Sequence, residues 1–497
     1  MEVKRRVLVV SFDGLRPDLI SRHLTPNLYR MQQMGVTLAN HVTVYPSETR
    51  TGFPSLVTGA TTGAHGMVGN VYLDRAVIPQ RYINTADAML VRELDVQSRG
   101  KLMGVPTLGE ILAADGRSLA VLSTNYAGTT RLFHHKAEDF GDIRLSGYFR
   151  EACTPADVLE SIEARLGPLA AIPREYEADR AGQRWITSAF LDVVWPDHQP
   201  DVTILSYGEP DNASHYHGTA AAATQDIIAY CDYEFGRVLD WWESEGRAAD
   251  VELLAISDHG HITGHTRVSV IDSLRDAGFK PGAAPGPGVN VVVVPGQVGA
   301  LYLAEPSDRH VSRVVAAITG ELWCGPVFTR GKDDTFGFAP GSLGRHLVFA
   351  DHARAPDVSF SFRSNDDVDA FGLVGGAFFA GNGSPGCGIH GGLHRNEMAA
   401  VGIVAGTSFA ARGTVSTLPS GICDFAPTVL HLLGIASPAG MTGRVLHEVL
   451  ADQNMPVPDV RHEAIEARLG NYTQRLYRVH VGGVAYVQSG TAEGPSG

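Results

Sequence analysis

Cysteine is scarce and scattered. The five thiols, at 153, 231, 324, 387 and 423, are odd in number and form no C-x-x-C pair. That excludes a disulfide-stapled scaffold, a zinc knuckle and a thioredoxin-like redox site, and a reducing, cytoplasmic setting is expected. No stretch approaches the roughly 18 consecutive apolar residues of a membrane helix, so no membrane partner is expected. The opening MEVKRRVLVVSFDG starts like a signal peptide, but its apolar run covers only Val7 to Phe12 and meets Asp13, with no small-residue cleavage site after it. A buried parallel strand explains the run better. Positive charge is also in short supply: 40 Lys and Arg against 54 Asp and Glu leave a net charge of −14. A broad electrostatic hold on a nucleic-acid polymer is thereby disfavoured, although a local basic pocket for one phosphate remains compatible.

What is present suffices for a large folded body. Hydrophobic residues make up 44% and charged residues 19% of 497, which fits neither disorder nor low complexity. At roughly 150 residues per domain the length suggests about three domains, or one α/β body with insertions. Three apolar β-branched runs each end in an acid: RVLVVSFDG at Asp13, DVTILSYGEPD at Asp211, and DVELLAISDHG at Asp258. Helical stretches such as Thr25 to Met34 and Ala220 to Glu245 separate such runs, and SLAVLST, Ser118 to Thr124, adds another. This pattern predicts an α/β fold with a doubly wound, mostly parallel sheet flanked by helices, carrying cap insertions. Ligands of such sheets bind beyond the carboxyl ends of the strands, so the three acids are expected on one rim.

The expected division runs as follows. Residues 1–135 form the first part of the core, 136–200 a helical cap without a strong strand, and 201–281 the core again. Residues 282–385 form a small α+β insertion that interrupts the main sheet. Residues 386–497 complete the core and end in a terminal hairpin and a loose tail.

Several side chains have a chemical reading beside a plain one. Asp211 and His215, in DNASH, share one face if the segment is helical, and acid plus imidazole suits a transition metal; a helix cap and a surface histidine would read the same. Asp258 and His259 are adjacent at a strand exit followed by glycine. His390 lies in the glycine-rich GCGIHGGLH, where backbone can approach a ligand closely. His261, His265 and His394 could each stand in for His390 as a ligand, but read more readily as loop or surface histidines. Thr49, in VYPSETRTGFPSLVTG, needs a base or a metal to become nucleophilic. At a helix start its backbone N–H would favour an anion. Alone it reads equally as a cap.

Taken in order, VSFDGLRPD, PSETR with VTG, HGMVGN, EPDNASH, SDHG and IHGG resemble the alkaline phosphatase superfamily, most closely its nucleotide pyrophosphatase/phosphodiesterase branch. The closing DFAPTVLHLLG with MTGRVL resembles that group's C-terminal signature. The resemblance implies two metal sites: Asp211, His215 and His390 on one ion, and Asp13, Asp258 and His259 on the other, which Thr49 also binds as a ligand. Mixed carboxylate and imidazole ligands suit two zinc ions, with manganese or iron as alternatives and magnesium a poor fit. Three carboxylates leave two dications net positive, which attracts phosphoryl oxygens.

The implied activity is hydrolysis of phosphodiester or nucleotide pyrophosphate bonds in a small-molecule substrate, through a phosphothreonine on Thr49. Asn70 matches the group's donor to a non-bridging oxygen. Arg50, directly after the nucleophile, departs from the eukaryotic phosphodiesterases and is a candidate phosphate ligand. No formylglycine motif is present, which disfavours sulfate esters. The alternative is a phosphomonoester or phosphonate hydrolase, for which only Arg131 and Lys136 follow the SLAVLST strand. A metal-binding protein without turnover is a third, weaker reading. The leaving-group pocket is expected from residues 75–110, from 136–200 and around Tyr126, with Tyr72, Tyr126, Phe133 or Tyr207 as candidate stacking rings. Nothing in the sequence specifies an oligomeric state.

Overall fold

The computed structural model describes residues 4–79, 81–174, 176–452 and 456–494. Its frame is an eight-stranded sheet of β1 (Arg6–Phe12), β2 (Val36–Leu38), β3 (Leu119–Ser123), β4 (Arg144–Ser146), β5 (Val202–Tyr207), β6 (Val251–Ile256), β7 (Gly402–Ala405) and β8 (Thr414–Ser416). The spatial order is β8-β2-β7-β6-β1-β5-β3-β4. From β6 to β4 every pairing is parallel; β7 runs antiparallel to both β6 and β2. The expected doubly wound, mostly parallel sheet is what the chain forms.

Alternation along β1 shows why both faces are covered. Val7 and Val9 point into one core with Phe53, Leu56 and Phe425, from helices Thr49–Thr58 and Phe425–Leu432. Leu8, Val10 and Phe12 point into the other, with Leu28, Ile227 and Phe235 from helices Pro26–Met34 and Ala222–Trp241. A strand apolar at every position therefore belongs between two helical layers.

Outside this frame, strands within 281–362 build a six-stranded sheet. It is covered by the amphipathic helix Asp308–Ile318, which Ser307 caps by accepting from the backbone N–H of His310. Two expectations change. The stretch 136–200 does hold a strand, β4, paired in parallel with β3; three residues at a sheet edge are too few for a periodic signal. The end of the chain is a three-stranded antiparallel sheet, Val460–Leu469, Tyr472–Val481 and Val484–Glu493, rather than a hairpin. Leu476 and Val487 of that sheet pack with Phe328 and Leu343 of the second sheet. The expected loose tail falls partly on residues 495–497, outside the described residues.

Candidate functional site

β6, β1 and β5 are adjacent and parallel, so their carboxyl ends deliver Asp258, Asp13 and Asp211 to one rim. Backbone contacts hold the three exits together: Asp258 Oδ1 accepts from the Gly14 N–H at 3.0 Å, and the Asp13 carbonyl accepts from the Asp211 N–H at 3.0 Å. Asp211 then opens the short helix Asp211–His217, which turns His215 back so that its Nε2 lies 3.3 Å from Asp211 Oδ1.

The donors gather in two groups. In the deeper one, His259 Nε2 lies 3.4 Å from Asp258 Oδ2 and 3.5 Å from Asp13 Oδ1, while Thr49 Oγ1 stands 3.3 Å from His259 Nε2 and 3.5 Å from Asp13 Oδ1. In the shallower one, His390 Nε2 comes within 3.4 Å of Asp211 Oδ1. The donor atoms of Asp13, Asp258 and His259 lie within 4.8 Å of one another, as do those of Asp211, His259, His261 and His390, so His259 stands at the junction of the two groups. Each imidazole is oriented by its Nδ1–H, donated to a backbone carbonyl: His215 to Gly388, His259 to Gly260 and His390 to Ser47. This leaves each Nε2 as a lone pair facing the donors. Gly391, with φ +108°, lets the loop after His390 zip onto the segment before Thr49, where its N–H donates to Ser47 Oγ.

Electrostatics show that the groups suit a cation. Burial, then the charges of Asp258 and Asp211, holds the Asp13 carboxyl well above its ordinary range, and burial lifts Asp258 to about 7. Burial likewise lowers His259 to about 3 and His390 well below the usual imidazole value. Asp211 Oδ1 and Asp258 Oδ2 are buried acceptors that receive no hydrogen bond. Asp211 and His215 run the other way: despite burial, His215, His261 and His390 hold the Asp211 carboxyl well below its ordinary range, and Asp211 in turn raises His215 against its burial. Crowded carboxylates, imidazoles and orphaned acceptors facing one centre fit divalent metal ions.

Thr49 heads the helix Thr49–Thr58, which places its hydroxyl at the helix N-terminus. The Arg50 N–H donates to Asn70 Oδ1 at 2.9 Å, while the Asn70 N–H donates to Glu48 Oε2 at 2.6 Å. Asn70 lines the cavity, and with Oδ1 so engaged its amide nitrogen takes the other side. Arg50 is buried, with Nε donating to Thr85 Oγ1 at 3.0 Å and its guanidinium 5.8 Å from the Tyr126 ring centroid. Burial lowers its pKa, while Glu48, Asp13 and Asp211 favour its charge.

The site opens into a cavity of about 940 Å³. Its walls include Tyr148, Phe149 and Ile172 from 136–200, Tyr126, and a loop at 294–300 from the second sheet; among the described residues none of 75–110 lines it, contrary to expectation. Tyr126 is 57% exposed at the rim, whereas Tyr72, Phe133 and Tyr207 are buried in the packing cores and cannot stack a ligand. Arg131 pairs with Glu138 and Lys136 with Glu110, and neither lines the cavity.

Two residues, Asn125 and Gln297, escaped the sequence reading, and a third, His261, was weighed there only as a stand-in for His390. Asn125 donates from Nδ2 to Asp13 Oδ2 at 2.5 Å and accepts at Oδ1 from Ser123 and Ser206, which sets the carboxylate's orientation. Gln297 accepts from the His390 N–H at 3.1 Å and faces His215. His261 is buried with Nε2 3.0 Å from Asp211 Oδ1. Asn125 ends the SLAVLST strand, a position that parallel-sheet logic marks. Gln297 had no local signal, because an insertion carries it.

The comparisons with known proteins bear on the family and the fold. A family model described as type I phosphodiesterase / nucleotide pyrophosphatase matches residues 7–325. Ectonucleotide pyrophosphatase/phosphodiesterase family member 7 of Rattus norvegicus is 23% identical over 267 residues, covering 54% of this chain and 52% of that protein. A bis(5′-adenosyl)-triphosphatase of Xenopus laevis is 35% identical over 69 residues, 14% of this chain and 15% of that one. The chain spans about half the length of the first of these relatives. Among solved structures, murine ectonucleotide pyrophosphatase/phosphodiesterase 5, in an inactive form in complex with AMP, shares the fold: TM-score 0.60 at 15% identity, over 90% of this chain and 100% of that one.

Proposed function

The chain belongs to the type I phosphodiesterase / nucleotide pyrophosphatase family, and from that premise we propose that it is a metal-dependent hydrolase of phosphodiester or nucleotide pyrophosphate bonds in small molecules, acting through a covalent phosphothreonine on Thr49. The observation that carries this reading is the hydroxyl of Thr49, at a helix N-terminus and 3.3 to 3.5 Å from donors of the deeper group. Asp13, Asp258 and His259 would hold one ion, and Asp211, His215 and His390 the other. Zinc is proposed for both from the donor mix, with manganese or iron as alternatives.

Such ions supply Lewis-acid stabilisation of the charge that develops on oxygen. The chain's own residues do the rest. In the first displacement Thr49 loses its hydroxyl proton and Oγ forms a bond to phosphorus as the bond to the leaving oxygen breaks, that oxygen departing protonated. In the second, water loses one proton as it attacks phosphorus, the Oγ–P bond breaks, and Thr49 Oγ takes up a proton. Two in-line inversions give net retention at phosphorus. The Asn70 amide and the backbone N–H at the head of the helix donate to the non-bridging oxygens, where negative charge accumulates. Arg50 holds a further oxygen of the substrate, and Tyr126 at the rim covers the leaving group. A nucleotide ligand, as in the AMP complex of the murine relative, would fit a rim of this kind. A cytoplasmic location is proposed from the scarce, scattered cysteines of the sequence alone.

Hydrolysis of bis(p-nitrophenyl) phosphate by the metal-replete protein, with and without chelator, tests the activity. Acid quench and mass analysis of the Thr49 peptide test the intermediate. Undiminished turnover in Thr49→Ala would remove the mechanism. Rate constants for diester, monoester and phosphonate substrates separate the two hydrolase readings; with Arg131 and Lys136 outside the cavity, that segment offers the phosphonate reading no cation.

A further inference from the structure

We propose that His261 is a direct ligand, through Nε2, of the ion held by Asp211, His215 and His390; this rests on the two-ion reading and adds one donor to it. Three imidazole nitrogens surround Asp211 Oδ1: His261 at 3.0 Å, His215 at 3.3 Å and His390 at 3.4 Å. Donors bound to one ion at about 2.0–2.1 Å stand roughly 3.3 Å apart in a tetrahedral array and closer when a further donor is added. His261 has the spacing of its neighbours. The four donor atoms of Asp211, His259, His261 and His390 also lie within 4.8 Å of one another.

The tautomer points the same way. His261 Nδ1–H donates to the Gly14 carbonyl at 2.9 Å, the same arrangement that fixes His215 and His390 on the carbonyls of Gly388 and Ser47. Its Nε2 then carries a lone pair, is buried, and makes no hydrogen bond; the same holds for Asp211 Oδ1. Two unshared acceptors at 3.0 Å repel each other unless a cation lies against both.

Space for the ring is built into the strand exit. At Gly14, φ is +71°, and a Cβ there would fall 2.3 Å from His261 Cε1, so any side chain after Asp13 would expel the imidazole. His259 and His261, two residues apart at the exit of β6, project to one side. The segment Asp258-His259-Gly260-His261 thereby gives one imidazole to each donor group.

The competing role is an imidazolium that only orients Asp211. Protein labelled with 15N-histidine and loaded with 113Cd separates the two. The expected result is 15Nε2–113Cd coupling at His261 as well as at His215, His259 and His390, with the His261 signal assigned by its loss in His261→Gln. Should that variant fold poorly, His261→Asn provides the assignment, because the coupling itself is read in the unsubstituted protein. Chelator competition should show His261→Gln losing more than about a hundredfold in affinity for one ion, beyond the 10–100-fold typical of an orienting partner. Coupling at the other three histidines without His261 overturns the inference and leaves the two-ion reading standing. Coupling at none of them overturns both.

Discussion

The two donor groups share one rim yet differ in depth. Asp258 and His259 are fully buried and Asp13 and Thr49 nearly so, at 3% and 5% exposure, because two of them end central strands and Thr49 heads a buried helix. The side chains of Asp211 and His215 are 17% and 27% exposed, on a short helix beside the cavity, while His390 and His261 close the inner side of that group at 5% and 0% exposure, so its depth difference lies in Asp211 and His215. In the proposed reaction the deeper group would hold the nucleophile in one orientation, and the shallower one, beside the cavity, would face the leaving group and water.

The sharpest test of this contrast is Thr49→Ala. It should lower kcat/KM by about 10⁴-fold or more while leaving the bound metal content at both groups nearly unchanged, as nucleophile removal does elsewhere; elemental analysis beside steady-state kinetics checks both halves. A second test uses pH. With Asp258 raised to about 7, a proton occupies the deeper group below that pH and must leave before a cation binds, so affinity there should fall about tenfold per unit as pH drops from 7 to 5. His259, neutral down to about 3, adds no competing proton in that window. The shallower ion should be the first removed by chelator at pH 8, and equal release rates would break the comparison.

Asn125→Ala comes next. It frees Asp13 Oδ2 and should weaken the deeper ion by about 10–100-fold, an effect that excess metal restores and that Gln297→Ala should not reproduce. The smallest effect belongs to the rim: Tyr126→Ala should raise KM about two- to fivefold at constant kcat, the size of an exposed cation–π contact of about 0.5–1 kcal/mol.

Much of this was readable one residue at a time. An apolar run ending in an acid marks a strand exit, so Asp13, Asp211 and Asp258 announced themselves, and the i, i+4 spacing tied His215 to Asp211. His390 and Thr49 gained weight only through the order of their motifs. His261 was read as a loop or surface histidine because nothing local distinguishes a buried imidazole from an exposed one; its burial comes from Gly14, which lies 247 positions away. The cavity walls were misassigned in part, since residues 75–110 pack against the second sheet as a separate core while the loop at 294–300 reaches the site.

Residue types and strand periodicity are properties of the linear chain, and from them followed the α/β frame and the three strand-end acids, while the order of the motifs, through its family resemblance, supplied the expected donor set. Which strands stand side by side, how deep each donor lies and which insertion closes the cavity are properties of packing between distant segments. The order β6-β1-β5 decided the first, helix cover on both sheet faces the second, and the docking of the second sheet the third. No local stretch encodes these outcomes, because each depends on burying apolar surface that two remote parts of the chain supply together.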